Sequence, residues 1–136
     1  MTEQISSLKA LILSSNDRKF EDVEIPEWGG VKVRVKALTD AQLGEYQGKT
    51  MALKSSGGDN VEVEMRHRRT ELLVKCLFDP ETDTRIFTDQ DAKALSAKSA
   101  GVVNALFVLV NHLSDMDKTF DEKVQEAKGN SEGGQS

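Results

Sequence analysis

Two apolar runs of opposite charge, joined by a proline–glycine bend, constrain this chain more than any other stretch. Across residues 19–38, Phe20, Val23 and Ile25 sit among Glu21, Asp22 and Glu24, and Val31, Val33 and Val35 then alternate with Lys32, Arg34 and Lys36. A period of two predicts strands, and Pro26 with Gly29-Gly30 predicts the turn between them. Placing Ile25 opposite Val31 sets Val23 against Val33, Glu24 against Lys32 and Asp22 against Arg34. An acidic strand beside a basic one gains roughly 0.2–1 kcal/mol per good cross-strand pair and disfavours other registers. The expected unit is an antiparallel β-hairpin with one buried face and one charged, solvated face. Phe20 falls out of phase with the buried face, which predicts a bulge or an early strand start. Trp28, the single tryptophan, lies in the bend. There it either closes one end of the core or acts as a contact residue, since tryptophan is enriched at interface hot spots.

The rest of the chain has helical spacing. Ile5, Leu8, Leu11 and Ile12 make a short amphipathic segment suited to docking on the core or on a partner. Thr39-Asp40-Ala41-Gln42 reads as a capping box, opening a helix whose stripe is Leu43, Tyr46, Thr50 and Leu53. Gly44 and Gly48 each weaken that helix by about 1 kcal/mol relative to Ala. Residues 54–60 read as a mobile loop. A helix from Asp59 carries Val61, Met65, Leu72, Leu73, Cys76 and Leu77 through to Phe78, where Asp79-Pro80 stops it. Residues 83–87 form a turn with a short strand, and Thr88-Asp89-Gln90-Asp91 caps a short helix with Ala92 and Leu95. From Lys98 to Leu113 apolar residues cover most of the helix surface, so this helix is either enclosed by its own domain or shared with another subunit. The expected fold class is α+β, mostly helical, with about four helices around one N-terminal antiparallel β-hairpin. Residues 1–16 are the amphipathic segment, 17–114 the globular domain and 115–136 a charged, flexible tail whose last residues, 129–136, are disordered.

Chemistry is sparse. The charge of −5 and pI near 5.1 argue against a general binder of nucleic acid or anionic membranes. The apolar stretch 102–110 is too short to cross a bilayer. Met1-Thr2-Glu3-Gln4 lacks the basic start of a signal peptide, and the one cysteine, Cys76, fits a reducing compartment. His67 and His112 have no metal-ligand spacing, and no phosphate loop, nucleophile elbow or dinucleotide fingerprint occurs. Cys76 and His67, nine residues apart on one helix, would lie roughly 13 Å apart along its axis and on opposite sides, so a buried structural cysteine is the better reading. Arg66-His67-Arg68-Arg69 is the one basic cluster. Its arginines fan around the helix near Glu62, Glu64 and Glu71, as on a solvated, ion-paired face. A nucleic-acid site or a patch for an acidic protein are the other readings. No catalytic residue, cofactor or metal is expected, so the chain does not read as an enzyme.

One family has this order of features. The Ile25-Pro26-Glu27-Trp28-Gly29 bend is followed by Val31-Lys32-Val33-Arg34-Val35, Leu38-Thr39 and Leu72-Leu73-Val74-Lys75-Cys76-Leu77. Phe78-Asp79-Pro80-Glu81, Ile86-Phe87-Thr88-Asp89-Gln90-Asp91, Leu95 and Lys98-Ser99 come next. Over residues 17–113 this resembles the tail assembly chaperones of long-tailed bacteriophages and related prophages. The resemblance implies a non-enzymatic protein of the host cytoplasm that binds the helical tape measure protein, keeps it soluble, and leaves as tail-tube subunits polymerise. It also implies absence from the mature virion, a longer frameshifted form that recruits the tail tube protein, and a homo-oligomer. The expected contact residues are Leu8, Leu11, Ile12, Trp28, Val103, Leu106, Phe107 and Val110, which suit self-association or a helical client. The alternative is a structural tail-completion or head–tail connector protein, which would be present in purified particles. A small enzyme or nucleic-acid-binding regulator using Cys76, His67 or residues 66–69 is a third reading.

Overall fold

The computed structural model describes residues 2–56 and 68–116, together with Gln125. Helix α1 spans Thr2–Ser14 and leads into strand β1, Phe20–Ile25. A 3-10 turn at Pro26–Trp28 connects it to β2, Val31–Lys36. Helix α2, Asp40–Ser56, follows, and α3 is described over residues 68–73. Strands β3, Leu77–Asp79, and β4, Thr84–Arg85, complete the sheet. A second 3-10 turn at Asp89–Asp91 enters α4, Ala92–Leu95, and the long α5 is Ala100–Leu113. The sheet is antiparallel with order β1-β2-β3-β4, so the fold is α+β.

The hairpin has the expected register. Val23 opposes Val33, Ile25 opposes Val31, Glu24 opposes Lys32 and Asp22 opposes Arg34. Arg34 grips Asp22 with both nitrogens, Nε to Oδ1 at 2.8 Å and Nη2 to Oδ2 at 3.1 Å. The bend needs both glycines in the left-handed region, Gly29 at φ 79° and Gly30 at φ 74°, where a Cβ would be strained. Their N–H groups donate to the Pro26 and Ile25 carbonyls at 3.1 and 3.0 Å. Phe20 forms no bulge and is instead the first residue of β1, the early strand start. It pairs in regular register with Lys36 and therefore lies on the charged face, where the Arg34 guanidinium stacks 4.3 Å from its ring centroid. A cation over the ring supplies what the core would otherwise have provided.

The helix expected to run through Phe78 is shorter. It ends at residue 73, and residues 74–76 form a turn before β3. Lys36 N–H donates to the Cys76 carbonyl at 2.8 Å, and Phe78 then pairs with both Arg34 and Arg85. Leu77 and Phe78 are buried as a strand next to β2, because a free edge on β2 would leave its ladder groups unpaired.

Helix α2 and the turn into α4 begin as their capping residues require. Thr39 N–H donates to Gln42 Oε1 at 3.1 Å while Gln42 N–H donates to Thr39 Oγ1 at 3.2 Å, a reciprocal box that satisfies two orphan donors. Thr88 N–H donates to Asp91 Oδ2 at 2.7 Å in the same manner. The α2 stripe of Leu43, Tyr46, Thr50 and Leu53 is half-buried throughout, and Tyr46 meets Phe107 edge-on with centroids 6.2 Å apart.

The core is built from Ile25, Val33 and Val35 of the hairpin, residues 72–74 with Cys76 and Leu77, Leu95, and one side of α5. Burying each such side chain stabilises by about 1.5–3 kcal/mol. Helix α5 packs over β2 and ends in a left-handed residue, Asp115 at φ 59°. Met116 N–H reaches back to the Asn111 carbonyl at 2.8 Å, closing the helix end. Ser114 Oγ accepts from Leu38 N–H at 2.9 Å and Asp115 pairs with Lys19 at 3.4 Å. The two ends of the globular unit are thereby tied together. The expectations for the 57–67 loop and helix start, and for the tail beyond residue 116, lie outside the described residues.

Candidate functional site

Helix α1 is short of basic residues and carries its apolar side chains outward. Leu8 is 60 % exposed, Leu11 67 %, Ile12 62 % and Leu13 74 %. Apolar side chains in a row on a free helix side mark a surface for another protein. This stripe holds three of the residues expected as contacts.

The other five lie elsewhere. Trp28 is half-buried in the 3-10 turn and packs against the core. Val103, Leu106 and Val110 are core residues, and Phe107 is half-buried beside Tyr46. The fold thus gathers these five around one cluster and leaves the α1 trio apart from them. Three of the α5 residues face inward, toward the sheet. The exposed positions of α5 are instead Ala100, Asn104, Val108 and His112, together with Gly101 and Ala105, which with half-buried Leu109 make one side.

That side faces β1 across an open groove of about 250 Å³. Val23 and Ile25 form one wall, and Gly101, Val102, Ala105, Leu106 and Leu109 form the other, with Glu24 and Glu27 at the rim. Strand β1 is the sheet edge, so nothing in the sheet closes this side. The one signal of the groove in the sequence is the Gly101–Ala105 pair at helical i, i+4 spacing. Its opposite wall comes from residues about eighty positions earlier, which no local pattern reveals.

A larger concavity of about 680 Å³ lies between α2 and α4, lined by Glu45, Lys49, Thr70, Glu71, Lys75 and Asp89 among others. Most of its charges are paired: Glu45 with Lys49 at 3.0 Å and Lys75 at 3.7 Å, and, through arginines outside the lining, Glu71 with Arg68 at 2.5 Å and Asp89 with Arg85 at 2.8 Å. Among the described residues no group of three or more His, Cys, Asp or Glu could hold a metal ion. Cys76 is fully buried, and burial pushes its thiol up to about 11, which leaves it protonated and inert at neutral pH. His67, with Arg66, lies outside the described residues. Arg68 is bonded to Glu71 at 2.5 Å with its side chain only 12 % exposed, and Arg69 to the Asn104 amide at 3.2 Å. Of the solvated, ion-paired face expected of that cluster, the described residues therefore hold one ion pair, on a largely buried arginine. No helix among the described residues is long and apolar enough to cross a membrane.

Comparison with known proteins agrees with this architecture. The family model described as phage tail assembly chaperone matches residues 7–130. Among solved structures, the bacteriophage HK97 tail assembly chaperone has a similar fold, with a TM-score of 0.56 at 17 % sequence identity. The match covers 83 % of this chain and 95 % of that one. No curated protein sequence matches the chain.

Proposed function

Because the chain belongs to the phage tail assembly chaperone family, we propose that it binds the tape measure protein and keeps it soluble while the tail is built. The observation that carries this reading is the outward apolar stripe of α1, Leu8, Leu11, Ile12 and Leu13, each at least 60 % exposed. A helix that leaves such a stripe in water is placed to take an apolar helical client. The chaperone works by reversible binding in the host cytoplasm, as an oligomer, and leaves before the virion matures. A longer frameshifted form would bring in the tail tube protein. Half-buried Trp28 and Phe107 are accessible enough to contribute contacts, while Val103, Leu106 and Val110 pack in the core beneath them.

The test is co-expression with the tape measure protein, followed by a solubility assay and a pull-down. The client should become soluble and co-purify with several copies of this chain. A folded chain that leaves the client insoluble and unbound would sink the proposal, and abundant chain in purified particles would favour a structural role.

A further inference from the structure

We propose that the groove between β1 and α5 receives an amphipathic helix whose apolar side chains are flanked by lysine or arginine. The proposal rests on the chaperone reading and adds to the α1 stripe a second contact, with the charge of the client segment it takes.

Three features define the occupant. First, the groove is apolar along its floor, with Val23 and Ile25 facing Val102, Leu106 and Leu109. Helix-in-groove recognition uses such a floor to take side chains at i, i+3 or i+4, and i+7. Second, Gly101 and Ala105 keep the α5 wall low. A Cβ added at Gly101 would meet only Ser99 Oγ, at 3.8 Å, so the space above it is open for a partner backbone. Third, the rim is acidic. Glu24 and Glu27 border the groove and Glu21 lies on the same strand. None of the three forms an ion pair among the described residues. Two free carboxylates at the rim of an apolar floor, with a third on the same strand, favour a basic partner and repel an acidic one. A strand added to β1 fits less well, because charged side chains along an edge oppose strand pairing.

The probes are two synthetic helical peptides with the same leucine face, one flanked by lysines and one by glutamates. Binding to the full chain is followed by peptide anisotropy and by the fluorescence of Trp28, which neighbours Glu27 of the rim. The lysine peptide should bind about tenfold more tightly than the glutamate peptide and lose affinity with added salt. Gly101→Leu should weaken binding by about tenfold while leaving the melting temperature equal or higher, since leucine is the better helix former. Glu24→Lys with Glu27→Lys should reverse the peptide preference.

Equal binding of both peptides, binding of neither, or a Gly101→Leu chain that binds like the original would overturn the proposal. So would a Gly101→Leu chain whose only change is a smaller oligomer by sedimentation, which would make a second copy the occupant. The two readings part in the co-expression assay. If Gly101→Leu still solubilises the tape measure protein, the groove proposal falls and the chaperone stands. If the unaltered chain fails there, the chaperone reading falls by itself.

Discussion

Lys36 Nζ lies 2.9 Å from Asp83 Oδ1, joining the second strand to the turn between the third and fourth. The ammonium also sits 4.2 Å from the centroid of the Phe78 ring. Lys36 is only 7 % exposed, so its charge depends on this carboxylate. Asp83 holds φ 57°, a conformation that Asn tolerates and that larger residues resist. Asp83→Asn therefore keeps the turn while removing the charge that Lys36 faces. The expected result is a melting temperature lowered by roughly several degrees. Adding Lys36→Met should restore part of the loss, because an apolar residue does not need the partner. Thermal scans of the single and double variants decide it. Equal melting for Asp83→Asn and the unaltered chain would remove Lys36–Asp83 from the account of stability.

Acid should loosen the fold through its paired carboxyls. Hydrogen bonds hold four carboxyls below their ordinary range: Asp22 through Arg34, Asp83 through Lys36, Asp89 through Arg85 and Glu45 through Lys49. The unfolded chain, with ordinary values of 3.8 for Asp and 4.5 for Glu, then binds protons that the folded chain still refuses. Their stabilisation is complete above those values and is lost as pH falls through the depressed folded ones. The melting temperature should be flat between about pH 7 and pH 5 with respect to these groups and fall below about pH 4. Asp22→Asn should make the acid branch shallower. An acid branch unchanged in Asp22→Asn would show that the pairing with Arg34 is too solvated to matter.

Arg18 ties three segments together. Its Nε donates to the Ala37 carbonyl, and its Nη2 reaches the Lys75 carbonyl at 3.1 Å and Gln42 Oε1 at 3.2 Å. These partners lie at the end of the hairpin, the start of α2 and the turn before β3. Arg18→Ala removes the donors from two largely buried carbonyls, at a cost of about 2–4 kcal/mol in denaturant unfolding. Arg18→Lys should recover little, since an ammonium cannot present the planar fork. Full recovery by lysine would reduce the contact to simple charge.

How much of this was legible depended on whether a pattern was local. The hairpin register could be read because alternation and opposite charges both lie within twenty residues and point the same way. The capping boxes at Thr39–Gln42 and Thr88–Asp91 were legible for the same reason. Strand β3 was not, because Leu72–Phe78 is apolar apart from Lys75, a pattern that suits a buried strand or a buried helix equally. Phe20 was placed by a rule for buried faces, whereas the deciding partner is a cation, Arg34, fourteen positions away. The accessible side of α5 was hidden by its own composition. A helix apolar on most sides does not announce which side meets the sheet.

That ambiguity separates two kinds of substitution on apolar residues. Val103 is 8 % exposed and sits within the core cluster, so Val103→Asp buries a carboxylate without a partner. The expected result is a chain that is largely unfolded or that loses about 3–5 kcal/mol. Leu11 and Ile12 are more than 60 % exposed, and an aspartate at either place stays in water. Leu11→Asp with Ile12→Asp should leave the denaturation midpoint within about 0.5 kcal/mol of the original. The same double variant should co-purify with much less tape measure protein, since the stripe proposed to hold it is gone. Circular dichroism and the co-expression pull-down read these two consequences separately. A double variant that binds the client as before, with its fold intact, would move the client contact off α1 and leave the β1–α5 groove to carry it. A double variant that unfolds would mean that the stripe packs against the domain in solution, and that its exposure does not mark a binding surface.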